Sequence, residues 1–203
     1  KQQVTLSTHE LEDLLLWTHF LSEARSGISM NLLTICRPSQ VGISDSCPFG
    51  MGGFTWNGRA WRIRIPPSSA IYGVSEANNV LEFLAMAVTI WIILLDCESQ
   101  GITEECILSL GDNTSAISWI FRSTRLPPDS SYYAPVQLIA RKVALLVTES
   151  RQGLCSQHLK GGNNFIADWL LFTTQTRDAK WNPVAFDNPA DDILTNRFHS
   201  AFP

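Results

Sequence analysis

The stretch from Val80 to Leu95 constrains the fold more than any other part of the sequence. It runs 16 residues with one charged side chain, Glu82, and closes at Asp96. A membrane span needs about 20 apolar residues, so the length points to a core helix buried on most sides. Such a helix must lie against other apolar layers. It must also satisfy a carboxylate near its start, because a buried carboxylate is costly unless something pairs with it. Few basic residues lie near Glu82 in the sequence.

The remaining segments supply the layers. From Val41 the pattern turns to strands: Val41 to Cys47, then Gly52 to Trp56 and Ala60 to Ile65 on either side of Asn57-Gly58. Asn-Gly between two apolar runs predicts a hairpin with a type I′ turn, which needs positive φ at both positions. In the second arm Trp61, Ile63 and Ile65 share one face, and Arg62 and Arg64 the other. After the Pro66-Pro67 loop comes the long helix, about Asn78 to Cys97. Cys106 to Leu110 reads as a buried strand, Asp112 to Phe121 as a short helix, Pro135 to Glu149 as a helix with proline in its first turn, Leu154 to His158 as a strand, and Asn163 to Phe172 as a last helix. Ahead of the strands, Leu11, Leu14, Leu15, Trp17, Phe20 and Leu21 recur at helical spacing between Ser7 and Arg25, with Ser7 or Thr8 as cap and Gly27 as stop. A hairpin followed by alternating helices and strands predicts an α/β fold with a mixed sheet. We divide the chain into a helical flank over 1–40, a domain over 41–172 and a tail or linker over 173–203.

Composition narrows the chemistry. The 203 residues carry a net charge of -4, so no overall basic field draws nucleic acid, and only a local groove or bound metal could do so. The five cysteines (Cys36, Cys47, Cys97, Cys106 and Cys155) form no CxxC pair, and the four histidines show no HxxxH spacing. Free thiols in a reducing compartment and no zinc site are the expectation. The first residues do not read as a signal peptide. An intracellular chain, cytoplasmic or nuclear and without a membrane partner, is expected.

Four carboxylates fall at element ends or on apolar helix faces: Asp45, Glu82, Asp112 and Asp168. Glu82 and Asp168 interrupt apolar faces, and a divalent cation with oxygen ligands would satisfy all four acids at once. Taken singly, each has an ordinary reading: Asp112 as a helix N-cap, Asp45 as a turn residue.

Together with the order of elements, these residues resemble the ribonuclease H family, within it the domains of long-terminal-repeat and DIRS-like retroelements. Ser44-Asp45-Ser46 through Gly50 to Gly53 is similar to the family's first strand. Asn78-Asn79-x-x-Glu82 resembles the start of its first helix, and Asp112 matches the acid ending its fourth strand. His158 through Gly161, Gly162, Asn164 and Ala167 to Asp168 resembles its closing motif. The resemblance spans about Val41 to Phe172 and implies a five-stranded mixed sheet with an antiparallel hairpin and helices packed on both faces.

It also implies an endoribonuclease that cuts the RNA strand of RNA–DNA hybrids, working beside a reverse transcriptase domain of the same polyprotein. The implied metal ligands are Asp45, Glu82, Asp112 and Asp168. They would hold two Mg²⁺ (Mn²⁺ is possible), one carrying the attacking water and the other stabilising the leaving 3′ oxygen. His158 would sit on the loop before the last helix as a proton shuttle, or be a surface histidine. Substrate contacts are implied for Ser46, Cys47, Gly50, Asn79, Asn113 and Asn164, with glycines 50, 52 and 53 admitting a nucleic-acid backbone. The DNA strand would rest on Arg62 and Arg64, Arg122 and Arg125, or Arg141 and Lys142, unless these are solvated faces. Exonucleases of the same fold carry Asp-x-Glu where this chain has Asp45-Ser46-Cys47. The competing reading is a repurposed, non-catalytic nucleic-acid-binding or effector protein.

Overall fold

A computed structural model describes residues 5–25, 37–123, 126–164 and 167. Helix α1 (Thr8–Arg25) precedes strands β1 (Gln40–Cys47), β2 (Gly50–Thr55) and β3 (Ala60–Arg64). Helix α2 (Asn78–Gln100), strand β4 (Cys106–Gly111), helices α3 (Thr114–Arg122) and α4 (Tyr133–Ser150) and strand β5 (Gly153–His158) follow. The strands form one sheet in the order β3-β2-β1-β4-β5. β1 is antiparallel to β2 and β2 to β3, whereas β4 runs parallel to β1, and β5 to β4. Parallel neighbours need crossovers. Helix α2 supplies the one from β3 to β4, and α3 with α4 the one from β4 to β5.

Helix α2 is apolar nearly all round because it is covered on two sides. Phe83, Met86, Ile90, Ile93 and Leu94 join Ile107 of β4, Ala116 of α3 and Val136, Ile139 and Val143 of α4 in one cluster. Leu81, Ala85, Val88 and Ile92 pack on Met51, Trp61 and Ile65 in a second. By length and composition this helix could cross a membrane, yet 78% of its most apolar window is buried inside the fold, as a core helix requires. Helices α2, α3 and α4 share the first of these clusters. The helix expected over Asn163–Phe172 lies outside the described residues, except for Asn163, which ends a 3-10 turn from Gly161, the buried Asn164 and the buried, helical Ala167.

Close approach of α2 to the sheet accounts for a glycine that sequence reasoning placed near nucleic acid. A Cβ on Gly53 would lie 2.7 Å from both the Ile43 carbonyl oxygen and Thr89 Oγ1, and 2.8 Å from Trp61 Nε1. Trp61 Nε1 donates to Thr89 Oγ1 at 3.0 Å in the buried layer between helix and sheet. Gly53 therefore serves interior packing.

The hairpin between β2 and β3 differs from the type I′ turn expected. Gly58 has φ +85°, but Asn57 is not among the described residues with positive φ. The Gly58 N–H donates to the Thr55 carbonyl at 3.0 Å, and the Thr55 N–H to that of Arg59 at 2.7 Å. The loop thus holds three residues, Trp56-Asn57-Gly58, closed by a left-handed glycine. Register gives the reason. Gly53 pairs with Trp61, which puts Trp61 and Ile63 on the core side. A two-residue loop would slip the pairing by one residue and turn Arg62 inward instead.

Helix α1 starts with a capping box: Ser7 Oγ accepts from the Glu10 N–H at 3.3 Å, while the Ser7 N–H donates to Glu10 Oε2 at 2.7 Å. Its leucines do not enter the core. Leu11, Leu14, Leu15, Trp17 and Leu21 are all exposed. The helix is tied to α4 by Arg141, whose guanidinium meets Glu12 at 2.7 Å and Asp13 at 2.8 Å. Gly27, its expected stop, lies outside the described residues.

Gly53→Ala is expected to lower unfolding free energy by about 1–3 kcal/mol, the usual cost of overpacking a tight interior. Urea denaturation checks this. A variant as stable as the parent would show that α2 can move away from the sheet.

Candidate active site

Asp45 lies near the end of β1, Glu82 in the second turn of α2, and Asp112 one residue past β4. β1 and β4 are parallel neighbours with Ile43 opposite Leu110. Two residues further along each strand stand Asp45 and Asp112, so their side-by-side placement follows from strand direction. α2 crosses β1 closely enough to bring Glu82 to the same end. One ligand oxygen from each acid lies within 4.8 Å of the others. Asp45 and Glu82 are buried, and Asp112 is half-buried.

Backbone and amide donors hold the acids. Ser46, expected to touch substrate, turns its N–H inward, where it donates to Asp45 Oδ1 at 2.8 Å and Glu82 Oε1 at 3.1 Å. Asn78 Nδ2 reaches the same Glu82 oxygen at 3.5 Å, and the Ser46 hydroxyl donates to Asn78 Oδ1 at 3.3 Å. Asn78 opens the Asn78-Asn79-x-x-Glu82 motif, but sequence reasoning assigned it no role of its own. Its place one helical turn before Glu82 was the available signal.

Burial pushes the Glu82 carboxyl up to about 7, and the charge of Asp112 adds to the rise; hydrogen bonds with Asp45 and Ser46 oppose it. Among the described residues no arginine or lysine forms an ion pair with Glu82 or Asp112. A set of converging carboxylate oxygens without a basic partner for these two fits a hard divalent cation such as Mg²⁺. Asp168 lies outside the described residues.

The other expected site residues divide. His158 is the exposed last residue of β5 rather than a loop residue, and it pairs with Gly111 beside Asp112. The segment after it crosses Asp112 so closely that a Cβ on Gly161 would sit 3.0 Å from Asp112 Oδ2. Asn164, expected to touch substrate, is buried, and its amide donates to the Ser44 carbonyl at 3.4 Å. It pins this segment to β1. Cys47 and Gly50 face each other where β1 turns into β2; Gly50 is buried. Asp112 is not the cap of α3. Asn113 is: its Oδ1 accepts from the Ala116 N–H at 3.0 Å, while its amide donates to Asn79 Oδ1 at 2.8 Å. Arg141, one of the candidate seats for a DNA strand, is paired with Glu12 and Asp13 of α1, and Arg125 lies outside the described residues.

Comparison with solved structures bears on this arrangement. Over 66% of this chain and 95% of its own length, the crystal structure of LC11-RNase H1 in complex with RNA/DNA hybrid superposes with a TM-score of 0.50 at 13% identity. The fold is RNase H-like. RNase H1 from the halophilic archaeon Halobacterium salinarum NRC-1 gives 0.45 at 14% identity over 66% of this chain and 96% of that one. The N-terminal RNase H domain of rv2228c from Mycobacterium tuberculosis, solved fused to maltose binding protein, gives 0.45 at 17% over 66% and 91%. No family model and no curated protein matches the chain. At these identities the likeness reaches the RNase H-like fold and stops there.

The raised Glu82 carboxyl has a sign that can be measured. Its folded value, about 7, lies above the ordinary 4.5 of the unfolded chain, so the native state holds the proton more tightly. In the metal-free protein this stabilisation is complete below about pH 4.5 and is lost as pH rises through 7. In EDTA, Glu82→Gln is expected to flatten that slope, leaving the variant more stable than the parent at pH 8 by on the order of 2–3 kcal/mol. Denaturation at pH 5.5 and pH 8 reads it out. Parallel slopes for parent and variant would contradict it.

Proposed function

We propose that this chain is a metal-dependent endoribonuclease that cleaves the RNA strand of RNA–DNA hybrids, and that it belongs to a reverse-transcribing retroelement. The observation that carries this reading is the convergence of Asp45, Glu82 and Asp112 to within 4.8 Å on an RNase H-like sheet. The relative of that fold solved in complex with an RNA/DNA hybrid supports the choice of substrate. The retroelement setting, a reverse transcriptase domain as partner and an intracellular location rest on the sequence motifs alone, as does the domain boundary at 41–172.

In this reading Asp45, Glu82, Asp112 and Asp168 would hold two Mg²⁺ or Mn²⁺ ions, which when bound would supply Lewis-acid activation of water and charge stabilisation at the leaving 3′ oxygen. The chain's own residues do the rest. Ser46 and Asn78 orient the buried Glu82 carboxylate, so that it need not reorganise during the reaction. His158, exposed beside the Asp112 end of β4, exchanges a proton with the departing strand. Asn79, on the first turn of α2, meets the 2′-hydroxyl that distinguishes RNA from DNA.

Labelled RNA–DNA hybrid, duplex DNA and duplex RNA incubated with Mg²⁺ or EDTA test this. Cutting of the hybrid's RNA strand alone, lost in EDTA, is expected. Asp45→Asn should slow it roughly a thousandfold, on the order of 4 kcal/mol in the barrier. Hybrid binding without cutting would instead identify a repurposed, non-catalytic protein, and digestion of single-stranded DNA from an end would identify an exonuclease.

A further inference from the structure

We infer that Asn113 fixes the polarity of the Asn79 side-chain amide, so that Asn79 meets the substrate strand as a hydrogen-bond donor to a ribose 2′-oxygen. This rests on the hybrid-cleaving reading above and adds a positioning residue to it.

The two ends of a carboxamide have nearly the same shape but opposite hydrogen-bonding character, and nothing intrinsic to the side chain chooses between them. Here the choice is made by the backbone. The Ala116 N–H can only donate, and it meets the Asn113 side chain at 3.0 Å. The atom facing it must be Oδ1. The other arm of Asn113 is then the NH₂ group, which lies 2.8 Å from the Asn79 side chain. The Asn79 atom there must be an acceptor, its Oδ1. The Asn79 NH₂ group is thereby turned away from Asn113. The chain of constraint runs from a helix cap through two amides to one free donor.

The placement of that donor gives it a use. Asn79 is exposed, and its amide N–H groups have no partner among the described residues. It stands three residues before Glu82, and Asn113 directly follows Asp112, so the linked pair joins the two segments that carry these clustered acids. A donor held there is complementary to an acceptor oxygen of a bound strand. A 2′-oxygen is present on RNA and missing from DNA. A phosphate oxygen is present on both. Selectivity for hybrid over duplex DNA therefore separates the two.

The experiment measures dissociation constants for an RNA–DNA hybrid and for duplex DNA of the same sequence by fluorescence anisotropy, with Ca²⁺ in place of Mg²⁺. The proteins are the parent, Asn113→Ser, Asn79→Ala and the double variant. Serine still caps a helix but is too short to hold Asn79, so Asn113→Ser should melt close to the parent. Its preference for hybrid should fall about tenfold, roughly one hydrogen bond's worth. The double variant should lose no more preference than Asn79→Ala alone, because Asn113 acts through Asn79. If Asn113→Ser proves unstable, Asn113→Asp keeps a strong cap while its second oxygen can only accept, and the same loss of preference is expected. Full preference in Asn113→Ser, additive losses in the double variant, or equal weakening on both duplexes would overturn the inference while leaving the nuclease reading in place. No hybrid preference in the parent would remove both.

Discussion

A carboxylate buried on the most apolar helix of the chain is the constraint on which the site depends. Glu82 is 3% exposed, and its neighbours on α2 are core residues. Desolvating a charge costs far more than a surface ion pair returns. The structure reduces that cost with the Ser46 N–H, the Asn78 amide and a hydrogen bond to Asp45, yet the carboxyl still sits about 7. An apolar residue would pack there at no such cost. Retaining an acid in that position makes sense where a cation is to be bound, and strongly perturbed carboxyls cluster at working sites for this reason.

The sheet order determines what Glu82 meets. β1 is the pivot, with an antiparallel partner on one side and a parallel one on the other. The parallel pair brings the ends of β1 and β4 together, so Asp45 and Asp112 emerge at the same edge. The antiparallel hairpin builds the wall of the second core cluster, where Trp61 reaches Thr89 of α2 across Gly53. That close contact sets how α2 lies over β1, and therefore where Glu82 points. A packing detail at the edge of the sheet remote from β5 thus bears on the geometry of the acidic cluster.

Much of this was legible in the residue pattern. The core helix, the alternation of Trp61, Ile63 and Ile65 with Arg62 and Arg64, and the strands at Cys106 and Leu154 follow from period and length alone. Where the reading missed, a tertiary preference overruled a local one. Asn57-Gly58 favours a two-residue turn, but the register that keeps Trp61 inside demands three residues. Asp112 was a fair cap in isolation, yet Asn113 takes that role and releases Asp112 toward the other acids. The leucines of α1 have helical spacing, but spacing does not name the surface they cover, and among the described residues they stay exposed.

By itself the sequence determined which segments are helices and strands, and which carboxylates stand where ordinary packing would put none. Those are local matters, written in the spacing of apolar side chains and in turn residues. Tertiary structure alone decided that Asp45, Glu82 and Asp112 share one edge. It also turned the Ser46 N–H inward, buried Asn164 and set the Asn79 amide through Asn113. The reason is physical: hydrogen-bond partners far apart along the chain are chosen by strand pairing and by how closely a helix can approach a sheet, and neither is encoded in any single stretch of residues.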